Sequence, residues 1–279
     1  MLFRSVKRSI YVILSLVVVF GMLLSACQTT PAPTAVATDY PAPAGSTDGT
    51  QAGYPAAIKV TVATDATFPP FETVDEATKE LTGFDIELMN AIAQKAGLQV
   101  EFINQPFDPM LAGVVSCQYD AAIAAITITE ERQKEMLFSD PYINAGQIVV
   151  VAAGNTAIAG KADLEGKTIA AQLGTTGEIE AKAITNVTYK PYDTYDLAFL
   201  DLANGQVDAV IADYPTALGF IGKSPDKIKA VGEVFTNESY GIAVCKNRAD
   251  LLPILNEALA ALKADGTIGS LEQKWLAGQ

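Results

Sequence analysis

The sequence predicts an α/β fold with largely parallel sheets. From residue 58 onward, short apolar runs alternate with stretches of helical periodicity, as in strands joined by crossover helices. Segments 111–129 and 202–216 also repeat one plan: a helix end, a turn, an aspartate, a small apolar strand and polar residues. Ligands bind beyond the carboxyl ends of strands in open α/β sheets, where Thr127 and Asp213 lie in this plan. Two such sheets facing each other would enclose a cleft.

Each predicted element rests on its local pattern. Helices are assigned where apolar residues recur every three to four positions, and strands where apolar runs lie between turn residues. The run 120–127 is small, apolar and unalternating, which is typical of a strand buried on both faces. The predicted strands are 58–64, 98–104, 120–127, 147–153, 167–172, 208–212 and 239–246. The predicted helices are 83–96, 109–115, 177–184, 195–203, 216–221, 249–264 and 268–276.

Composition excludes several classes of function. The 279 residues include 32 acidic and 19 basic side chains, for a net charge of −13, and no histidine. A body this acidic is a poor general nucleic-acid binder, because phosphate binding requires a basic face. Without histidine the chain forms no Ser-His-Asp triad, Cys-His dyad or histidine-ligated metal site, and three cysteines are too few for a four-cysteine zinc site. We therefore expect neither a metal nor a cofactor.

The first 26 residues have the pattern of a lipoprotein signal peptide. A basic stretch at residues 4–8 precedes the apolar run 10–24, whose length of ~22 Å is short of the ~30 Å hydrocarbon core. Leu24-Ser25-Ala26-Cys27 then resembles a bacterial lipobox, in which Cys27 is lipidated after cleavage. The alternative is an uncleaved signal anchor.

Residues 27–57 are predicted to be a disordered tether from the lipidated Cys27. They are rich in Pro, Ala, Thr, Ser and Gly and show no hydrophobic period. A lipid anchor and a tether would hold a soluble body at an extracytoplasmic membrane face, in a periplasm or on the outer face of the cell membrane. That compartment is oxidising, so Cys117 and Cys245 could form a disulfide, with two buried thiols as the alternative.

Two loops at predicted helix starts could bind an anion. In 127–132, Thr129 suits an N-cap, whereas Arg132 is unfavourable in a first turn unless an anion lies nearby. Its guanidinium could bind a carboxylate bidentately, or it could pair with a surface acid. In 172–177, Gly174 permits a tight turn before exposed N–H groups. The spacing there is not that of a P-loop, and an ordinary strand-to-helix loop is the alternative.

Two aspartates at strand ends could bind a cation. Asp213 follows strand 208–212, and Asp65 follows the first strand with Phe68 and Phe71 close behind. Either aspartate could instead cap a helix. A carboxylate clamp together with an ammonium clamp matches a free amino acid, since burying a zwitterion is costly unless each charge meets a partner.

Together these motifs resemble the polar amino-acid-binding proteins of bacterial ABC importers, extracellular solute-binding protein family 3, in their lipoprotein form. The similarity covers about residues 58–279, and the run from ITITEER to FSDPY is its most specific part. The motifs occur in the family's order: ATDATFPPFE (63–72), GFDIELMNAIA (83–93), AAITITEERQKEMLFSDPY (124–142), LGTTGE (173–178), IADYP (211–215) and YGIAV (240–244).

The resemblance implies a two-lobed type II periplasmic-binding-protein fold, each lobe a mostly parallel sheet with flanking helices. The implied ranges are 58–142 plus 241–279 for lobe 1, 147–236 for lobe 2, and 143–146 and 237–240 for two crossing hinges. It also places the strand ending at Cys245 antiparallel to 120–125, which implies a disulfide between Cys117 and Cys245.

The resemblance further implies which residues bind a ligand. They are Asp65, Phe68, Phe107, Ala125, Thr127, Arg132, Thr175, Thr176 and Asp213. Arg132 would hold the ligand carboxylate, assisted by Thr127 and by the N–H groups at 175 and 176. Asp213 would take the α-ammonium beside the carbonyl of Ala125. Asp65 would face the ligand side chain, whose stem the two phenylalanines would sandwich.

The expected function is that of a monomeric, lipid-anchored receptor that closes on a polar L-amino acid and delivers it to a membrane permease. Gln172 stands where some glutamine-specific relatives carry lysine, so arginine or lysine is favoured and glutamine comes next. One alternative is an enzyme on the same scaffold, similar to cyclohexadienyl dehydratases, which would need a carboxyl group with a shifted pKa over the substrate. Glu72 and Glu178 lie near the motifs, but nothing in the sequence singles one of them out as catalytic. Another is the sensing domain of a larger receptor.

Overall fold

The structure, a computed structural model, describes residues 58–277. The expected signal peptide (1–26), Cys27 and the tether (27–57) lie outside the described residues. The strands are β1 (Ile58–Thr64), β2 (Thr67–Phe68), β3 (Glu72–Val74), β4 (Leu81–Thr82), β5 (Leu98–Asn104), β6 (Ala121–Ala122), β7 (Leu137–Phe138), β8 (Ile143–Ala145), β9 (Gln147–Ala152), β10 (Thr168–Gln172), β11 (Thr188–Tyr192), β12 (Ala209–Asp213), β13 (Ile228–Val231), β14 (Glu238–Tyr240) and β15 (Ala243–Val244). The helices are α1 (Phe84–Ala96), α2 (Phe107–Val115), α3 (Glu130–Glu135), α4 (Thr176–Ala183), α5 (Tyr195–Ala203), α6 (Tyr214–Lys223), α7 (Leu251–Ala264) and α8 (Thr267–Trp275).

Two five-stranded sheets organise these elements. Their strand orders are β5-β1-β6-β15-β7 and β11-β10-β12-β9-β13. In each sheet the first three strands are parallel and one strand, β15 or β9, runs antiparallel to both of its neighbours, so each sheet is mixed, with four of its five strands in the same direction. We call the first sheet with α1, α2, α3, α7 and α8 lobe 1, and the second sheet with α4, α5 and α6 lobe 2.

The chain passes from lobe 1 to lobe 2 and back through one two-stranded ladder. Strand β8 pairs antiparallel with β14, with Ile143 opposite Tyr240 and Ala145 opposite Glu238. This crossing ladder lies within the segments where hinges were expected. A small antiparallel sheet, β2-β3-β4, completes lobe 1.

Two predicted strands are interrupted for a local reason. Run 120–127 is a regular strand only at β6 and then forms one isolated bridge, from Thr127 to Tyr240. It is interrupted because Ala125 takes a left-handed φ of 47° and its N–H donates to the Asp85 carboxylate at 2.7 Å. Run 239–246 is divided between β14 and β15, because the chain leaves the crossing ladder at Gly241 and enters the lobe 1 sheet.

Both faces of the lobe 2 sheet are buried. Along β9, Ile148 and Val150 join the large core cluster, whereas Val149 and Val151 join a smaller one with Ile169. This follows from the period of two along a strand, which turns successive side chains to opposite faces. No helix among residues 58–277 is long and apolar enough to cross a membrane.

A disulfide joins the two chain segments that build lobe 1. Cys117, in the turn between α2 and β6, is bonded to Cys245 at the end of β15, with their Cα atoms 5.2 Å apart. Nearby, Asp120 accepts a hydrogen bond from the Thr61 N–H at 2.8 Å and forms an ion pair with Arg248.

Candidate ligand-binding site

The residues expected to bind a ligand lie beyond the carboxyl ends of parallel strands in both lobes. In lobe 1 they follow β1, β5 and β6, and in lobe 2 they follow β10 and end β12. All nine are buried except Arg132, which is partly buried. Among residues 58–277, no group of three or more His, Cys, Asp or Glu side chains is placed to hold a metal ion.

Arg132 connects the two lobes from the first turn of α3. Its N–H donates to the Oγ1 of Thr129, the N-cap, at 3.1 Å, which fixes the start of the helix. One guanidinium nitrogen donates to the carbonyl of Thr127 at 2.7 Å and the other to the carbonyl of Gly174 in lobe 2 at 2.8 Å. The guanidinium carbon lies 5.4 Å from the centre of the Phe107 ring.

Buried charges surround this guanidinium. Burial lowers the pKa of Arg132 to about 10, and the negative charges of Asp213 and Glu238 oppose the shift, so the group stays cationic at neutral pH. Burial raises the pKa of Asp213 to about 7; the charge of Glu238 adds to this shift, whereas Tyr240 and Gln147 oppose it. Near neutral pH, Asp213 therefore exchanges readily between its neutral and ionised forms.

Asp65 is 1% exposed and lies between the lobes. One of its oxygens accepts from the Thr67 hydroxyl at 2.8 Å, and the other accepts from the Gln172 amide of lobe 2 at 2.7 Å. Burial raises the pKa of Asp65, although the hydrogen bonds from Thr67 and Gln172 oppose this shift. Phe68 stacks on Phe107, with ring centres 5.9 Å apart.

The start of α4 offers free backbone donors. Gly174 has a φ of 77°, in the left-handed region, and this turn leads into Thr175, the N-cap, whose hydroxyl oxygen accepts from the Glu178 N–H at 3.2 Å. The N–H of Thr175 itself donates to the Gln172 carbonyl at 3.4 Å. The N–H groups of Thr176 and the following residue, 177, donate to no residue within 58–277, and a helix N-terminus of this kind suits an anion.

Sequence reasoning missed Glu238, which contacts both lobes from the crossing ladder. Its Oε2 accepts from the hydroxyls of Thr127 at 2.7 Å and Thr176 at 2.8 Å. Its Oε1 accepts from the Thr236 hydroxyl at 2.7 Å. One signal could have identified it: Glu238 precedes Tyr240 of the YGIAV motif by two positions, and residues two apart in a strand share a face.

A pair of buried carboxyl groups lies under the Ala125 turn. Asp85 Oδ2 accepts from the Ala125 N–H at 2.7 Å and from the Tyr142 hydroxyl at 2.8 Å. Its other oxygen and both oxygens of Glu72 accept no hydrogen bond from residues 58–277. Burial raises the pKa of Glu72 well above its ordinary range, with the charge of Asp85 adding to the shift, and burial raises the pKa of Asp85 to about 6.

The environments of Glu72 and Glu178 do not suit the acid-base group of the enzyme alternative. Glu72 is 0% exposed, under the Ala125 turn. Burial alone would raise the pKa of Glu178, but hydrogen bonds from Lys182 and from the Gly174 N–H overcome burial and lower it. Glu178 also forms an ion pair with Lys182 at 2.6 Å.

We expect Glu72→Gln to flatten the dependence of stability on pH. Both folded-state pKa values are raised, so the stability that this pair contributes is fully present below about pH 4 and is lost as pH rises through about 6, where Asp85 ionises. From Asp85 alone this loss is on the order of 3 kcal/mol by pH 8. A glutamine at 72 has no carboxyl proton to lose, so the variant removes the part of the pH dependence that comes from Glu72 and keeps the part that comes from Asp85. Melting temperatures between pH 5 and pH 8 measure the slope, with the exposed Glu80→Gln as control; an unchanged slope would contradict this account.

The comparisons with known proteins agree with this geometry. The family model of bacterial extracellular solute-binding proteins, family 3, matches residues 60–278. The chain is 34% identical over 229 residues to the putative ABC transporter arginine-binding protein 2 of Escherichia coli strain K12, covering 79% of this chain and 91% of that protein. It is 34% identical over 216 residues to the L-cystine-binding protein TcyJ of the same strain, covering 77% of this chain and 81% of that one. An ancestral arginine-binding protein bound to arginine has a TM-score of 0.76 and 43% identity, covering 80% of this chain and 100% of that chain.

These matches define a two-lobed solute-binding protein of the periplasmic-binding-protein type, as the sequence motifs implied. The chain belongs to bacterial extracellular solute-binding protein family 3. Its relatives are named as amino-acid-binding proteins of ABC transporters, which supports a solute-binding role in that context.

Proposed function

We propose that this protein captures a free L-amino acid between its lobes and delivers it to the permease of an ABC importer, with arginine or lysine preferred and glutamine next. The observation that carries the proposal is the set of buried charges between the lobes. The cationic Arg132, the strand-end carboxyl of Asp213 and the distant carboxyl of Asp65 would match a carboxylate, an α-ammonium and a cationic side chain. Arginine-binding relatives support the same preference.

The carboxylate end of the ligand would meet Arg132 and the start of α4. The guanidinium already lies against the Gly174 carbonyl, next to the free N–H of Thr176, so a carboxylate here would receive charged and backbone donors together. The α-ammonium would lie between Asp213 and the carbonyl of Ala125, and its positive charge would hold Asp213 in the ionised form.

The side-chain end of the ligand would meet two acceptors. The carboxylate of Asp65 and the Gln172 Oε1, which accepts no hydrogen bond from residues 58–277, both suit a group rich in donors. The stacked rings of Phe68 and Phe107 would flank the stem and favour a cation by their π faces. A guanidinium or ammonium satisfies this surface better than an amide, which brings an additional acceptor.

The proposal includes attachment to the membrane. Cys27 would carry the lipid, and residues 27–57 would tether a monomeric body at the extracytoplasmic face, beside the permease. This part rests on the lipobox and on the composition of the tether.

A thermal-shift screen tests the function directly. Residues 58–279 would be unfolded and refolded to strip carried-over ligand and then melted with each of the twenty amino acids. A ligand at ~100 times its dissociation constant adds about 2.7 kcal/mol, which corresponds to a rise of about 5–10 °C for a protein of this size. A rise with arginine or lysine is expected; a rise with glutamine alone would reassign the Asp65 pocket to an amide, and no rise would contradict the proposal.

Lobe closure makes a second prediction, at Gly219. On α6 of lobe 2, a methyl group at this position would lie 2.7 Å from the carbonyl oxygen of Pro69 in lobe 1, which is too close to fit. We expect Gly219→Ala to hold the lobes apart and weaken amino-acid binding at least ~10-fold, about 1.4 kcal/mol, without lowering the melting temperature of the unliganded protein.

The matched control is Gly222→Ala on the same helix, where a methyl group would meet nothing within 4 Å. Both substitutions gain the same helix propensity, so only the contact between lobes distinguishes them. Equal dissociation constants for the two variants, measured by calorimetry, would show that this contact is not needed for binding.

A further inference from the structure

We propose that Tyr195 of lobe 2 is a positioning residue for Phe68 of lobe 1, and that the contact between their rings holds Phe68 where it meets the ligand side chain. The inference rests on the proposed function and deepens it, since it names a residue of lobe 2 that supports the side-chain end of the site. Neither the sequence motifs nor the family resemblance singled out Tyr195.

Tyr195 is anchored in lobe 2 by its hydroxyl group. It is the first residue of α5 and is 0% exposed. The hydroxyl donates to the carbonyl of Ile211 in β12 at 3.1 Å and lies 3.4 Å from the hydroxyl of Thr175, the N-cap of α4. Burial, with the charge of Asp213 adding to it, raises the pKa of Tyr195 well above its ordinary value, so the hydroxyl keeps its proton at neutral pH.

The sequence leaves room for this hydroxyl at residue 177. A methyl group on Gly177 would lie 2.7 Å from the Tyr195 hydroxyl oxygen and 2.7 Å from the Ile211 carbonyl oxygen, which is too close to fit. Glycine is unfavourable within a helix, yet in the first turn of α4 only glycine lets the helix lie against the hydroxyl. The start of α4 and the Tyr195 side chain are therefore packed together.

The ring of Tyr195 reaches lobe 1. Helix α5 packs on β2, and the Tyr195 and Phe68 rings meet edge to face, with centres 5.1 Å apart and an angle of 67° between the ring planes. Phe68 is 1% exposed and also stacks on Phe107 of lobe 1. The Phe68 ring thus contacts one ring of its own lobe and one ring of the other lobe.

Phe68 needs this support because its own segment is short. Strand β2 consists of Thr67 and Phe68 alone, and it belongs to the small sheet β2-β3-β4 rather than to the five-stranded sheet of lobe 1. When the lobes close, the anchored ring of Tyr195 arrives against Phe68 and limits the directions that its side chain can take. This restriction favours binding, since less rotamer freedom is then lost when a ligand stem packs on Phe68.

A double-mutant cycle with Phe68 tests the inference. Titration calorimetry would measure the dissociation constant of L-arginine for wild type, Tyr195→Leu, Phe68→Leu and the double variant. In the wild-type background we expect Tyr195→Leu to weaken binding ~10-fold, about 1.4 kcal/mol. In the Phe68→Leu background the same substitution should weaken binding less than ~2-fold, because the ring that Tyr195 supports is already absent. Phe68→Leu keeps an apolar side chain in the site, so its weaker binding stays measurable.

Further variants separate this role from a structural one. Tyr195→Phe loses the hydroxyl but keeps the ring, so it should lower the melting temperature and still bind L-arginine within ~3-fold of wild type. Phe199→Leu removes a ring whose aromatic contacts, with Tyr195 and Phe220, lie within lobe 2, so it should destabilise the protein without a comparable loss of affinity. Tyr195→Met, whose unbranched side chain fills irregular space, replaces Tyr195→Leu in the cycle if the latter does not fold.

The outcomes for the inference and for the proposed function are distinct. Equal losses from Tyr195→Leu in the two backgrounds, or normal L-arginine binding by folded Tyr195→Leu, would overturn the role of Tyr195 alone. A wild-type protein that binds no amino acid would overturn the proposed function and this inference with it. L-lysine or L-glutamine replaces L-arginine in the cycle if the thermal-shift screen selects it.

Discussion

Replacing Arg132 with alanine is expected to abolish amino-acid binding without unfolding the protein. The guanidinium is the cation between the lobes that faces Asp213 and Glu238, and its removal would leave a ligand carboxylate buried without a charged partner. Truncating one side of a buried, hydrogen-bonded charge pair costs about 2–5 kcal/mol, which corresponds to about 30- to 4,000-fold in the dissociation constant. Calorimetry with the amino acid selected in the screen would measure this loss.

Two further variants test whether the loss of binding comes from the guanidinium of Arg132. Arg132→Lys keeps the positive charge but cannot donate at once to the carbonyls of Thr127 and Gly174 with the geometry of a guanidinium, so an intermediate loss is expected. Lys134→Ala removes an exposed cation from the same helix and should leave affinity unchanged. Near-normal binding by folded Arg132→Ala would refute the carboxylate clamp.

Removing the Cys117–Cys245 disulfide is expected to give the largest loss of stability. The bond closes a loop with a sequence separation of 128 residues, and the chain-entropy model assigns a loop of that length about 5 kcal/mol, near the top of the usual range. A loss of about 3–5 kcal/mol would lower the melting temperature of a protein of this size by about 10 °C. Thermal unfolding of the Cys117→Ala/Cys245→Ala double variant, followed by circular dichroism, would measure the effect.

The bonded state itself is directly measurable. Alkylation of denatured wild-type protein without reductant, followed by mass spectrometry, should label neither Cys117 nor Cys245, and prior reduction should label both. Wild-type protein that is already labelled at both positions would remove the basis of the stability prediction.

Some elements could be predicted because their determinants are local. Helix α5 begins and ends at the residues assigned from its pattern, and Thr129 lies at an N-cap as expected, where its hydroxyl accepts a backbone N–H. The strand predicted at 208–212 is β12, and Asp213 lies at its carboxyl end as expected. A small apolar run that ends at a polar residue is a local pattern, so the sequence alone indicates it.

Other elements could not be predicted because partners distant in sequence define them. Strands β11 and β13 lie at the edges of the lobe 2 sheet and are only partly buried, so their sequences lack a continuous apolar run. In the sequence, Glu238 is one of several neighbouring polar residues, and no local pattern marks it as a site residue. Its place in the site depends on Thr127 and Thr176, which lie 111 and 62 residues away along the chain.

The order in which the two lobes can form follows from the route of the chain through the crossing ladder. All strands of the lobe 2 sheet, from β9 to β13, come from one continuous stretch of chain. The sheet is therefore complete once residue 231 has been synthesised. Lobe 1 lacks β15, which lies between β6 and β7, until residue 244 arrives, and it lacks α7, which packs on α1, until residue 264. In a chain synthesised from its N-terminus, lobe 2 can therefore fold before lobe 1 is complete.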